Sequence, residues 1–174
     1  MGQGNEKVLL GRDGWLFYKE DVDHLLGTGF LKEKGTGQSH APGADPLPAL
    51  IQFNKDLAGM GIHLLVLPIP VKPSIEAEHL GGFDPQDRYP LKNPSTDLFF
   101  KKLEESGIDY LDLTQAMHDA KASSGKDQFL KTDTHWTPDT MEMASAIVAG
   151  KIRSLDAVSS PPRIAPQSLS LIHI

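Results

Sequence analysis

Apolar residues come in short bursts along this chain, set between stretches rich in glycine, proline and serine. Lys7 to Leu10 and Trp15 to Tyr18 are two β-prone runs around Gly11-Arg-Asp-Gly14. Asp-Gly between such runs predicts an N-terminal hairpin, because glycine takes the positive φ that the turn demands. Gly27 to Pro48 reads as a long loop with at most one helical turn. Leu50, Phe53, Leu57 and Ala58 then recur at helical spacing, predicting a helix through about Met60 that buries this face and stops at Gly61. His63 to Pro68 is almost wholly apolar, the signature of a strand covered on both faces of a parallel sheet. A Pro-rich crossing follows from Pro68 to Pro94. Asn93-Pro94-Ser95 opens a second helix, with Leu98, Phe99 and Leu103 inward and Gly107 as its stop. Ile108 to Leu113 is a second apolar strand, and Thr114 caps a short helix through about Ala122. Thr137-Pro138-Asp139 opens the last helix with an N-cap, a proline and an acid in the first turn. Met141, Ala144, Val148, Ile152 and Leu155 mark its expected buried stripe.

Helix, strand, helix, strand, helix in that order predicts an α/β layer built on a parallel sheet. Pro161-Pro162 ends the pattern. Residues 159–174 carry no period, so they read as an irregular tail to a domain of residues 1–158.

Composition narrows the function classes. The 174 residues suffice for one domain with a core. Net charge is −6, from 17 basic and 23 acidic residues, and no basic block is present. Nucleic acid and anionic membrane surfaces are therefore not expected as partners, and an anionic polysaccharide would need a local basic site. The absence of cysteine removes thiol nucleophiles, thiolate zinc sites and disulfides together. No apolar run has transmembrane length, the first residues lack a signal-peptide core, and Glu6 breaks the myristoylation pattern. Taken alone, this text reads as cytoplasmic; an upstream export segment would leave the same pattern.

Candidate chemistry is concentrated in Lys131-Thr-Asp-Thr-His-Trp-Thr-Pro138. Asp133 stands two residues before His135, at the entrance to a helix. If the segment is extended, both side chains project to one side. The carboxylate could then orient the imidazole, and the imidazole could take a proton from a nucleophile. Thr132 and Thr137 could add hydrogen bonds, and Trp136 could shield the pair. A surface pair or a helix cap explains the same residues without chemistry. Metal binding by Asp133 and His135 is a further reading, but a site needs three or four ligands. The other histidines show no ligand spacing, and His63 and His118 read as structural. Neither serine candidate for a nucleophile is convincing. Gly37-Gln-Ser39-His-Ala41 lies in a Gly/Pro loop rather than between a strand and a helix, and Ser74 lacks the flanking glycines.

Three stretches nonetheless resemble one family. Gly11-Arg-Asp-Gly-Trp-Leu-Phe-Tyr18, Gly61-Ile-His-Leu-Leu-Val-Leu-Pro-Ile-Pro-Val-Lys-Pro73 and Thr132-Asp-Thr-His-Trp-Thr137 resemble, in this order, the SGNH hydrolase-like domain of the AlgJ/AlgX-like alginate O-acetyltransferases. The resemblance implies an SGNH hydrolase-like three-layer α/β fold, incomplete here, entered by the N-terminal hairpin. It implies an exported protein, periplasmic or on the periplasmic face of the inner membrane. Such a protein moves acetyl groups from an acetyl donor to a polysaccharide substrate, alone or with other exopolysaccharide acetylation and export proteins. By match to the family pattern, Asp133 is the orienting acid and His135 the general base. No cofactor or metal is implied. The family's serine follows in a turn well downstream, so this chain is expected to be a fragment with negligible esterase activity. The rival expectation is a non-catalytic polysaccharide- or partner-binding module in which the Asp-x-His is vestigial.

Overall fold

A computed structural model describes residues 4–27, 29–31, 45–81 and 90–155. The predicted hairpin forms: β1 (Val8–Leu10) pairs antiparallel with β2 (Leu16–Tyr18), Val8 opposite Tyr18 and Leu10 opposite Leu16. Between them, Asp13 at φ 52° and Gly14 at φ 78° are both left-handed, so aspartate shares the conformation expected of glycine. A short polar side chain tolerates that region by bonding locally. Gly11 is required for another reason. A Cβ there would lie 2.4 Å from the His79 carbonyl oxygen and 2.7 Å from the Phe17 ring.

α1 (Lys19–Leu26) continues directly from β2. The apolar pattern does not predict it, since its buried residues are only Val22 and Leu25. Most of the loop expected over residues 27–48, including Ser39, lies outside the described residues. α2 (Leu47–Gly59) forms where predicted but shows a different face. Phe53 is 51% exposed and Ala58 is exposed, while Leu47, Leu50 and Ile51 pack on Phe99, Phe100, Leu103 and Ile108. Among the described residues its main helical neighbour is α5 (Thr96–Glu105), which covers one side of it.

β3 (Leu65–Val66) and β4 (Asp109–Tyr110) pair in parallel, with Leu65 opposite Asp109 and Val66 opposite Tyr110. The parallel sheet is as predicted, but β3 is half-buried rather than covered on both faces. Among the described residues each strand has one partner, which leaves an edge and part of a face open. Two short helices, α3 (Lys72–Ile75) and α4 (Ala77–Leu80), occupy part of the Pro-rich crossing. α6 (Thr114–Ser124) begins one residue earlier than expected, with Thr114 as its first residue rather than its cap. Leu113 takes the N-cap position with no side-chain cap bond, and Asp112 Oδ1, one residue before it, accepts the Thr114 N–H at 2.8 Å.

α7 (Pro138–Ser154) has the predicted Thr137 cap, whose Oγ1 accepts from the Thr140 N–H. Its predicted stripe is partly wrong. Met141 is 50% and Ile152 37% exposed, whereas Met143 and Ile147 pack against the core residues Ile75, Leu113, Met117, Phe129 and Ala144. A separate apolar cluster of Trp15, Phe17, Val22 and Leu80 fixes the hairpin to α1 and α4. Among the described residues no helix is long and apolar enough to cross a membrane.

Candidate active site

The segment between α6 and α7 closes on itself. Leu130 N–H donates to the His135 carbonyl at 3.0 Å, Thr137 N–H donates to the Gln128 carbonyl at 2.9 Å, and Phe129 bridges Trp136. Lys131 to Thr134 form the tip. Asp133 to His135 is therefore bent, not extended. The pair still meets, because Asp133 Oδ1 accepts the His135 backbone N–H at 3.0 Å and the ring Nδ1–H at 2.5 Å. The first of these bonds is an Asx-type turn, the local alternative that aspartate offers to strand pairing.

A carboxylate only accepts, so Nδ1 carries the proton and Nε2 is left with its lone pair. The ring hydrogen bond from His135, followed by the backbone N–H, holds the Asp133 carboxyl below the usual aspartate range. The His135 side chain is 82% exposed, so its basic nitrogen is open to an incoming group. Geometrically this is an imidazole with its tautomer fixed by an acid. Thr137, expected to assist the pair, is engaged in capping α7. Trp136 packs against the core beside the pair.

Two charged side chains near α3 hold this segment from behind. Lys72 is 1% exposed and donates to the carbonyls of Leu130, Lys131 and Asp133. Glu76 is fully buried, and its Oε1 accepts the N–H groups of Gln128 and Phe129 at 2.6 and 3.1 Å. Burial pushes the Glu76 carboxyl above its ordinary value, against the opposing pull of the Lys121 ammonium bonded to it. Neither Lys72 nor Glu76 was singled out from the sequence. A lone lysine inside Val-Leu-Pro-Ile-Pro-Val-Lys-Pro, with a glutamate four residues on, is the signal that was available.

An open apolar groove of about 520 Å³ runs beside His135, lined by Leu67, Leu113, Trp136, Met141, Ala144 and Val148. This is why Met141 faces out. Ser145 also lines it, but its Oγ donates to the Glu142 carbonyl at 2.8 Å within the helix. Ser74 is buried on α3. Among the described residues no hydroxyl is hydrogen-bonded to the imidazole. Among the described residues Asp133 and His135 also gain no third ligand for a metal. Glu76, Glu78, His79 and Asp127 do come within ligating range of one another, and Lys121 Nζ already bonds two of these carboxylates.

Hairpin, parallel sheet and an Asp–His pair at a helix entrance together define an α/β domain that carries an acid-oriented imidazole on its surface. Residues 8–167 match the model of the SGNH hydrolase-like domain of the acetyltransferase AlgX, and the chain belongs to this family. It is 28% identical over 160 residues to the probable alginate O-acetylase AlgJ of Pseudomonas aeruginosa, across 91% of this chain and 36% of that protein. The chain thus spans little more than a third of the length of that relative. Among solved structures, the O-acetyltransferase domain of Pseudomonas putida AlgJ is 26% identical with a TM-score of 0.59, over 89% of this chain and 50% of that one. Pseudomonas aeruginosa AlgX, 23% identical over 85% of this chain and 32% of its own, shares the fold with a TM-score of 0.60.

Proposed function

We propose that this chain is the acid–base part of an O-acetyltransferase acting on an alginate-like exopolysaccharide. The observation that carries the proposal is the Asp133–His135 pair with Nε2 unengaged, in a chain of the AlgX family. Asp133 orients the ring and stabilises the imidazolium. His135 takes the proton from a serine hydroxyl as the serine oxygen attacks the acetyl carbon of the donor. It returns that proton to the departing donor group, leaving an acetyl-enzyme. In the second half His135 takes the proton of a sugar hydroxyl as that oxygen attacks the acetyl-enzyme, then returns it to the serine. Water in place of the sugar would give an esterase. In this reading residues 1–158 are part of the acetyltransferase domain, the serine lies outside the described residues, and the reaction takes place in the periplasm.

The test has two arms. In the protein carrying its nucleophile, Asp133→Asn and His135→Ala should each abolish acetyl transfer from p-nitrophenyl acetate to alginate oligosaccharides. Removing triad members leaves a residual advantage over water of roughly 10³–10⁴ from the remaining site. The 174-residue chain alone should release no burst of p-nitrophenol; a burst abolished by His135→Ala would overturn the fragment reading. A binding module is the second reading, favoured by the unaccompanied imidazole. It predicts alginate binding with no transfer and no effect of either substitution on that binding.

A further inference from the structure

The hairpin, the Pro-rich crossing and the Asp-x-His tip are far apart in sequence, yet they converge on a single atom. Lys72 Nζ lies 2.6 Å from the Leu16 carbonyl oxygen, 2.8 Å from that of Leu130, 3.0 Å from that of Lys131 and 3.1 Å from that of Asp133. The Trp15 and Phe17 rings flank it, with centroids 4.6 and 5.1 Å away. Leu16 also donates its own N–H to the Lys131 carbonyl at 3.0 Å, so β2 is stitched to the tip on both sides of the ammonium.

We propose that Lys72 is a positioning residue for the Asp133–His135 pair, clamping the backbone of the tip against the hairpin so that carboxylate and imidazole stand where proton transfer needs them. This rests on the function proposed above. The chemistry is that of a buried cation. An ammonium carries three protons, so four carbonyls share them, and these dipoles with the two aromatic faces replace the water that burial removed. A neutral side chain offers no such convergent set of donors. The clamp also ends next to the chemistry. One of the four carbonyls belongs to Asp133, whose Oδ1 in turn holds both the backbone and the ring of His135.

The state of the lysine agrees with this geometry. Burial pulls its pKa down to about 8, while Glu76 beside α3 and Asp133 and Asp127 on the following segment hold it up. The hairpin presents rings and a carbonyl to it. Lys72 is accordingly mostly ammonium at neutral pH, and the clamp is complete there.

Lys72→Met keeps much of the volume and removes the donors. In the folded variant, the hydrogen-bonded Nδ1–H signal of His135 in proton–nitrogen NMR should be lost. The Asp133 carboxyl titration should move up toward the ordinary aspartate range, with the methyl signals of Leu103 and Met117 in place. Lys72→Arg should not rescue either readout, because a planar fork cannot meet four carbonyls that converge on one point. A Lys72→Met protein with the wild-type ring signal and Asp133 titration would overturn the proposal. If Lys72→Met does not fold, the wild-type protein decides. With ¹³C-labelled lysine, the Lys72 Cε should titrate near 8, and the amides of Thr132 to His135 should shift with the same midpoint. Titration of Lys72 without movement of those amides would overturn the clamp. These readouts involve no turnover. Loss of the acetyltransferase reading would instead appear as undiminished acetyl transfer by His135→Ala.

Discussion

Replacing Glu76 with alanine tests whether the segment carrying the Asp–His pair is held from the core or merely folded on itself. The carboxylate is wholly buried and accepts two backbone N–H groups, at 2.6 Å from Gln128 and 3.1 Å from Phe129. Each donor left buried without an acceptor costs about 1–3 kcal/mol, so the pair of them costs about 2–6 kcal/mol. Two effects pull the figure toward the lower half. Lys121 keeps Glu78 as a partner, so its charge is not stranded. Burial already works against the Glu76 carboxylate, and its removal returns part of that cost. The expected loss for Glu76→Ala is about 3 kcal/mol, or about 6–12 °C in Tm for a domain of this size. Glu76→Gln keeps an oxygen for both N–H groups but turns its NH2 toward the Lys121 ammonium, which keeps Glu78, and should cost about 1–2 kcal/mol. Urea and thermal unfolding followed by circular dichroism measure both, with hydrogen exchange at the Gln128 and Phe129 amides as the local reporter. A Glu76→Ala loss below about 1 kcal/mol, or a glutamine variant as unstable as alanine, would refute the reasoning.

Gly11→Ala should destabilise by about 2–3 kcal/mol in urea unfolding, because its Cβ would press on the His79 backbone, which cannot swing aside as a side chain could. An unchanged midpoint would show that hairpin and α4 do not close this tightly. Asp133 gives a pH signature whose sign follows from its depressed carboxyl. The unfolded chain binds that proton at about 3.9 and the folded chain at a lower pH. The carboxyl's stabilising contribution is therefore complete above that unfolded value and is lost as pH falls through the folded one. His135→Ala removes the largest cause of the shift, so the Asp133 midpoint followed by carbon NMR should rise toward the unfolded value.

Much of the local structure was readable in advance. Thr137-Pro138-Asp139 starts α7 where its side chains say it should, and Asp13-Gly14 makes the hairpin turn. The two apolar runs pair in parallel, although only two residues of each make the ladder. Which side of a helix is buried was less readable. Phe53 and Met141 fit a helical stripe as well as Ile51 and Met143 do. Spacing alone cannot separate them, because the answer depends on where α5 and the groove beside His135 lie.

The site divides along the same line. Asp133 and His135 are two residues apart, and the bonds between them need nothing beyond the turn they form, so the sequence by itself determined that an acid could orient this imidazole. The family pattern added what such a pair is used for. Only the tertiary structure decided what steadies it. Lys72 reaches carbonyls 56 to 61 residues away, and Glu76 reaches amides 52 and 53 residues away. The physical reason is solvation. An exposed pair on a turn finds its partners within its own segment or in water. A buried charge loses water and must collect replacement dipoles from whatever the fold brings near, which no local pattern of residues records.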